Sequence, residues 1–199
     1  GGDGPHRRGI VDPTSCAKGK PIQYRWNAEN RLSRIDYGLG EYTELEYYGS
    51  GYLKRRKEYQ AGTLTEERVY IWQGGSLKQI RDGSLRLLQS FNGDGYKDYQ
   101  YDGVGNLTGS ESYLLLKDHQ GNVIGRTNSH GKLLEEINYD AWGNISERYE
   151  LNPSTNAMEP ASTDPNDTSI PMLANGGSFW LKRANLGLTL FRAYHPGLG

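Results

Sequence analysis

Cysteine is nearly absent from this sequence, and the absence excludes two kinds of stabilisation. Cys16 is the single cysteine among 199 residues, so neither an internal disulfide nor a cysteine-based zinc site can form. No apolar run approaches the length that spans a membrane, and no signal-peptide pattern opens the chain. Because Gly1 stands where a methionine would begin translation, we expect the chain to be a processed or excised piece.

An excess of one charge is also lacking. The chain has 23 Lys and Arg against 24 Asp and Glu, a formal net charge of -1. A nucleic-acid surface normally needs a clear basic excess, so we expect no nucleic-acid partner. The one dense basic run, residues 54–57, would divide its side chains between the two faces of a strand, which favours a solvated strand over a phosphate site.

The residues that are plentiful predict an all-β chain. Only 35% of the sequence is hydrophobic, but it contains 15 Tyr and 27 Gly against 8 Pro. Tyrosine favours strands, and glycine adopts the positive φ angles of tight turns. Bends marked by glycine recur every 8 to 12 residues or so, the spacing of an all-β ribbon, and no segment shows a helical stripe.

Two seven-residue units, Tyr101–Leu107 and Tyr139–Ile145, show the repeat most clearly. In both, glycine lies four residues after tyrosine, and leucine or isoleucine lies six after it. We expect the tyrosine to close one strand, the aspartate to cap the turn through its side chain, the glycine to take the left-handed position and the aliphatic residue to begin the next strand.

The repeat divides the chain into four segments. Residues 1–20 form an irregular lead-in, and residues 21–150 carry the repeats. Residues 151–178 hold four of the eight prolines with many Asn, Ser and Thr, which predicts a loop insertion because proline removes ladder donors. Order is expected to resume in residues 179–199.

The repeat unit resembles the YD repeat of the Rhs family, which also occurs in the C subunits of insecticidal Tc toxins and in teneurins. Residues 113–142 are similar to its strongest motif, a Tyr-Leu strand followed by an Asp-His-x-Gly turn and a Tyr-Asp-x-x-Gly unit. Residues 186–199 resemble the opening of the Rhs-associated core. The residues that carry the repeat signature are Tyr101, Asp102, Gly105, Asn106, Leu107, Tyr113, Asp118, His119, Gly121, Tyr139, Asp140, Gly143 and Asn144.

The resemblance implies a fold and a role. Members of this family wind their repeats as a β-ribbon spiral into a hollow shell, or cocoon, that holds a toxic C-terminal domain. Delivery by type VI secretion or a Tc-type injector implies a secreted protein of bacterial competition. Its partners would be the rest of the shell, the toxin cargo and spike or injector proteins. Members are usually far longer than 199 residues, and the autoproteolytic segment with its paired aspartates does not follow Leu198 here.

Catalytic, cofactor-binding and metal-binding residues are not predicted. Asp102 and Asp140 are expected to cap turns, and His119 to stabilise its turn rather than to act as a base with Cys16 or as a metal ligand. Residues 92–98 suggest a calcium loop, but Gly103 stands where an EF-hand needs glutamate. Asp12-Pro13 and Asp164-Pro165 lack the sequence context of the protease motif.

The sequence therefore favours a non-enzymatic structural segment, the C-terminal part of an Rhs-type shell. Two alternatives stay open. The segment could help to form an autoproteolytic core that releases the toxin, or it could be a cell-surface module that binds glycans through exposed aromatic side chains.

Overall fold

The computed structural model describes residues 22–165, 167–170, 179–181, 186–188 and 193–194. The predicted lead-in, Cys16 and Asp12-Pro13 lie outside these residues, as do residues 171–178 and 195–199. The chain forms two compact units, Gly1–Leu87 and Leu88–Gly199. Every regular element is a β-strand in the part of the chain that the structure describes, so the all-β prediction is confirmed.

The strands are short and follow one another closely. Those that begin in the first unit are β1 (Gln23–Trp26), β2 (Leu32–Gly38), β3 (Glu41–Tyr47), β4 (Leu53–Gln60), β5 (Thr63–Gln73), β6 (Ser76–Asp82) and β7 (Leu87–Asn92). Those that follow are β8 (Gly95–Tyr101), β9 (Leu107–Lys117), β10 (Val123–Asn128), β11 (Leu133–Tyr139), β12 (Ile145–Leu151), β13 (Met158–Pro160), β14 (Phe179–Leu181), β15 (Leu186–Leu188) and β16 (Ala193–Tyr194).

Within each sheet the strands pair antiparallel with their neighbours in chain order. Strands β1 to β6 pair successively in the first unit, and β7 to β13 do so in the second. Strands β14 to β16 form a separate three-stranded sheet. Within β1 to β6 and within β7 to β13 every connection is a local hairpin, so each strand gains its backbone hydrogen bonds from immediate neighbours; we call these strands the ribbon.

Apolar side chains form a thin core along the ribbon. In the first unit the buried hydrophobic residues are Ile22, Leu32, Ile35, Tyr37, Leu45, Leu53, Val69, Tyr70, Leu77 and Ile80. In the second they are Phe91, Tyr96, Leu115, Val123, Ile137, Ile170, Leu181, Leu186 and Leu188. Val69 and Tyr70 are consecutive in β5 and therefore point to opposite faces, so side chains cover the ribbon on both faces there.

Part of the proline-rich segment forms a strand. Residues 151–178 were expected to form a loop insertion, but β12 ends at Leu151 and Met158–Pro160 pairs with it as β13. Proline fits this place because β13 is short and lies at the end of the strand order, where a missing donor costs little. Residues 161–165 and 167–170 continue with side-chain hydrogen bonds that tie them to the ribbon.

Gly125 occupies a position of close backbone approach. A methyl group on Gly125 would lie 2.6 Å from the carbonyl oxygen of Glu135, which belongs to the adjacent strand and cannot rotate away. We expect Gly125→Ala to lower the free energy of unfolding by about 2 kcal/mol, measured by urea denaturation.

Gly109→Ala is the matched control for this substitution. Gly109 also lies within a strand, but its added methyl group would meet the side-chain oxygen of Gln100 at 3.5 Å, an ordinary contact. Equal losses of stability in the two variants would contradict the assignment of close approach to Gly125.

Candidate functional site

The aspartate of the Tyr101–Leu107 unit organises its turn through hydrogen bonds. Oδ1 of Asp102 accepts the backbone N–H groups of Val104, at 3.0 Å, and of Asn106, at 2.8 Å. Oδ2 accepts the side-chain amide of Asn106 at 3.0 Å. The hydrogen bonds to backbone and side chain of Asn106 hold the pKa of Asp102 below its ordinary value, although the carboxyl group is exposed.

Two further turns repeat this geometry. Oδ1 of Asp140 accepts the N–H groups of Trp142, at 2.8 Å, and Asn144, at 2.9 Å, and Oδ2 accepts the side-chain amide of Asn144 at 2.9 Å. In the Asp-His-x-Gly turn, Asn122 donates its backbone N–H to Oδ1 of Asp118 at 2.9 Å and its side-chain amide to Oδ2 at 2.7 Å. The asparagine four residues after the aspartate is therefore a structural partner of the carboxylate.

The turn keeps its form where the aspartate, or the asparagine four residues after it, is replaced. Asn128 accepts the N–H groups two and four residues further on, each at 3.0 Å, through its side-chain oxygen. Asp82 does the same at 2.9 Å, and Nε of Arg86 donates to its Oδ2 at 2.6 Å. Tyr48 keeps the two backbone hydrogen bonds of the turn, at 2.9 Å each. The backbone conformation is thus common to units whose sequences differ.

The fourth position of each turn has a positive φ angle. It is glycine at Gly51, Gly105, Gly121, Gly131 and Gly143 and asparagine at Asn30. Leu85 occupies the same position with φ of 65°, a conformation that costs a leucine roughly 1 kcal/mol because its Cβ crowds the backbone. Leu85 also exposes 56% of its surface, so its burial does not explain the choice of residue.

The aromatic residue before the turn sits on a β-bulge. The register shifts immediately before Trp26, Tyr47, Trp72, Tyr101 and Tyr139. After the shift, Tyr101 lies opposite Leu107 and Tyr139 opposite Ile145, which are the aliphatic residues six positions later. A bulge re-aims the side chain that follows it, so the aromatic ring leaves the alternation of its strand.

The re-aimed side chain bonds to the preceding strand. The hydroxyl of Tyr139 donates to the carbonyl oxygen of Val123 at 2.7 Å, and that of Tyr47 donates to Leu32 at 2.7 Å. Both carbonyls belong to the first residue of the preceding strand, where the ladder to the next strand has ended. Burial raises the pKa of both tyrosines above the ordinary value, so the hydroxyls stay protonated donors.

Trp72 makes the same contact with a different donor. Its indole Nε1 donates to the carbonyl oxygen of Leu53 at 2.7 Å. Leu53 lies opposite Tyr47, which in turn bonds to Leu32. In the first unit the aromatic residues therefore link successive turns along one edge of the ribbon.

Tyr113 and its neighbours form a stack across three strands. The ring of Tyr113 lies 5.0 Å from that of Tyr96, which lies 6.0 Å from that of Phe91. The guanidinium of Arg126 lies 4.8 Å from the centre of the Tyr113 ring, and its Nη1 donates to the Tyr96 hydroxyl at 3.2 Å. These aromatic rings act as cross-strand packing partners.

The basic run divides between the two faces of β4, as its alternation predicts. Arg55 and Lys57 lie on one face, at 3.9 Å and 3.3 Å from the two carboxylate oxygens of Glu46. Arg56 points to the other face and lies 3.4 Å from Glu58. These cations are therefore paired with carboxylates at neighbouring positions on both faces of the strand.

The histidine of the Asp-His-x-Gly turn is exposed at the second position of that turn.

Within the described ranges, no group of three or more His, Cys, Asp and Glu side chains could hold a metal ion, and no helix could span a membrane. The turn aspartates accept three hydrogen bonds each, which stabilises the carboxylate and makes it a poor proton acceptor.

Glu135 is the centre of a buried charged cluster that the sequence analysis missed. Its side chain is completely buried in β11. Oε1 accepts a hydrogen bond from Nε of Arg148 at 2.8 Å, and Oε2 accepts one from Nε of Arg126 at 3.2 Å. The two arginines lie on β12 and β10, so the carboxylate joins the strands on either side of it.

Residues beyond the ribbon complete the cluster. The hydroxyl of Thr168 donates to Oε1 of Glu135, and that of Ser169 donates to Oε2 at 3.2 Å. Thr168 also accepts the N–H of Ile170 at 3.1 Å, and Ile170 is fully buried. We call Arg126, Glu135, Arg148, Thr168 and Ser169 the clasp. One feature of the sequence could have revealed this cluster. Glu135, Ile137 and Tyr139 alternate along β11, so their side chains point to the same face, which is covered, and a carboxylate on that face needs partners.

Comparisons with known proteins identify the fold. No protein-family model matches the chain. No curated protein matches it either. A crystal structure of TcdB2-TccC3-Cdc42 matches with a TM-score of 0.61 and 13% identity, over 89% of this chain and 9% of that one. A Photorhabdus luminescens Tc holotoxin pore, with the TccC3 mutation D651A, gives a TM-score of 0.56 and 12% identity, over 89% and 8%.

The matches are to a small part of much longer chains. A crystal structure of TcdB2-TccC3-TEV gives a TM-score of 0.53 at 12% identity, over 88% of this chain and 8% of that one. Identities this low show the fold alone. The chain has an Rhs-like shell fold, the fold of the Tc toxin TccC3 chains, and spans less than a tenth of the length of the chains it matches.

Removal of one tyrosine hydroxyl tests the link between successive units. Tyr139→Phe keeps the ring but leaves the buried carbonyl of Val123 without its donor, so we expect the free energy of unfolding to fall by about 1 to 3 kcal/mol. Tyr42→Phe is the control, because Tyr42 packs through its ring on Tyr59 at 4.2 Å. A loss in Tyr42→Phe as large as in Tyr139→Phe would refute the role of the Tyr139 hydroxyl.

Exchange of residues at the fourth turn position tests the cost of a positive φ. Leu85→Gly is expected to raise the free energy of unfolding by about 0.5 to 1 kcal/mol, because glycine adopts this conformation without strain. Gly143→Ala, at φ of 89° in open space, is expected to lower it by about 1 kcal/mol. Chemical denaturation of both variants measures the two changes, and shifts of the same sign would be inconsistent with the argument.

Proposed function

We propose that this chain is a segment of the wall of an Rhs-type shell, in which the shell encloses a C-terminal toxin domain for delivery. The observation that carries the proposal is the match to the Tc toxin TccC3 chains, which covers 89% of this chain and 9% of the longer one. A section of a shell wall would match a complete shell chain in this way, over most of its own length and over a small part of the longer chain.

The polar character of both faces supports a wall. Arg56 pairs with Glu58 and Glu66 on one face of the first unit, while Arg55 pairs with Glu67 at 3.2 Å on the other. Such side chains are satisfied by their immediate cross-strand neighbours. The ribbon can therefore be extended strand by strand, as in a repeat protein, without a closed apolar core.

The role that follows is structural and non-catalytic. Asp102, Asp118 and Asp140 each accept three or more donors in their turns, which favours turn formation over the shared proton of an aspartyl protease. In this proposal the chain works with the remaining shell, a toxin cargo and a spike or injector protein, and the assembly is secreted by a bacterium.

Protease protection tests the enclosure. The natural protein that contains this chain is treated with a non-specific protease in increasing urea, and mass spectrometry follows peptides from the polypeptide that succeeds the shell sequence. We expect those peptides to resist digestion until the ribbon unfolds, because a wall excludes the protease. The control is the same polypeptide produced without the shell. Equal digestion rates in the two samples would reject the proposal.

A further inference from the structure

The polypeptide leaves the ribbon at a defined place. Strand β13 ends at Pro160, and the N–H of Ala161 donates to the carbonyl oxygen of Arg148 at 2.8 Å, a backbone bond that extends the pairing by one residue. Residues 162–165 and 167–170 then follow the ribbon without forming a strand. We call residues 161–165 and 167–170 the strap.

Side chains of the ribbon hold the rest of the strap through hydrogen bonds. Nη1 of Arg148 donates to the carbonyl oxygen of Ser162 at 2.5 Å, and Nη2 donates to that of Asp167 at 3.0 Å. Glu135 accepts hydrogen bonds from the hydroxyls of Thr168 and Ser169. Two ribbon residues, both almost completely buried, therefore make these four hydrogen bonds.

From this we propose that the strap is a latch that opens as one unit while the ribbon stays paired, and that the clasp retains the polypeptide after the ribbon. The second half of this statement rests on the proposed function, since it treats the following polypeptide as the part to be held. The first half concerns the strap alone and stands on the geometry of the clasp.

The ribbon does not need the strap for its own pairing. Strands β10 and β11 pair from Gly125 to Thr127, and β11 and β12 pair from Glu135 to Tyr139, through backbone hydrogen bonds. Release of the strap would break none of these bonds. Regions held by few bonds open locally at lower free energy than the surrounding sheet.

The open state leaves no orphaned charge. Once the strap has lifted, Glu135 still accepts hydrogen bonds from Arg126 and Arg148, and water can replace the hydroxyls of Thr168 and Ser169. A buried carboxylate that lost all its partners would make opening prohibitive. The side chain of Ile170 opposes opening, because it is fully buried when the strap is closed and would be exposed to water when the strap lifts.

Hydrogen exchange of the whole chain measures opening directly. Glu135→Gln replaces one acceptor oxygen by an amide that cannot accept from its donors, so we expect strap peptides to exchange about tenfold faster. Peptides from β10 to β12 should accelerate less than the strap peptides, because their backbone pairing remains although Arg126 and Arg148 lose a buried anion. Glu136→Gln is the matched control, since Glu136 is the next residue of the same strand and is exposed on the opposite face, and it should change neither rate.

A second variant keeps the test decisive if Glu135→Gln does not fold. Thr168→Val removes one hydroxyl from the strap and leaves both arginine pairs of Glu135 in place. We expect strap exchange to rise several-fold with the ribbon unchanged. Unchanged strap exchange in Thr168→Val, or equal acceleration of strap and ribbon in either variant, would overturn the latch. These readouts involve no cargo, so they are independent of protease protection.

Discussion

The hydrogen bonds that Tyr47, Trp72 and Tyr139 donate to the preceding strand are the contacts on which successive units depend. Backbone pairing between two successive strands ends before it reaches the first residue of the earlier strand, such as Leu32 or Val123. Without the aromatic side chain, the carbonyl of that residue would lose its partner. A buried carbonyl without a donor is costly. The bulge before Tyr47 or Tyr139 turns the side chain toward this carbonyl, so the irregular register and the choice of aromatic residue have one cause.

The turn carboxylates serve the same edge in another way. Asp102 and Asp140 bind the backbone groups that a tight turn leaves unpaired, and the asparagine four residues later satisfies their second oxygen. The saturated carboxylate keeps its charge and has little capacity for acid–base chemistry. The units that contain Asn128 or Tyr48 show that the backbone tolerates other residues, so the aspartate stabilises a conformation which neighbouring strands also specify.

The clasp follows a different principle from the repeat. The turns of the repeat are satisfied within four positions and its aromatic donors by carbonyls 15 to 19 positions away, whereas Glu135 also accepts from hydroxyls 33 and 34 positions away. Breaking one partner of a buried ion pair is costly because it leaves the other charge uncompensated. In unit Leu88–Gly199, the clasp therefore couples three strands to the segment that follows them.

The sequence alone determined the all-β class, the glycine turns and the offset from tyrosine to the aliphatic residue, because these depend on interactions within one hairpin. Only the tertiary structure decided that Tyr139 reaches Val123, that residues 158–160 form a strand, and that Glu135 is buried between two arginines. A bulge shifts the register by one residue and exchanges the faces that alternation predicts. Partners on different strands therefore cannot be read from spacing, since each depends on every bulge and turn between them.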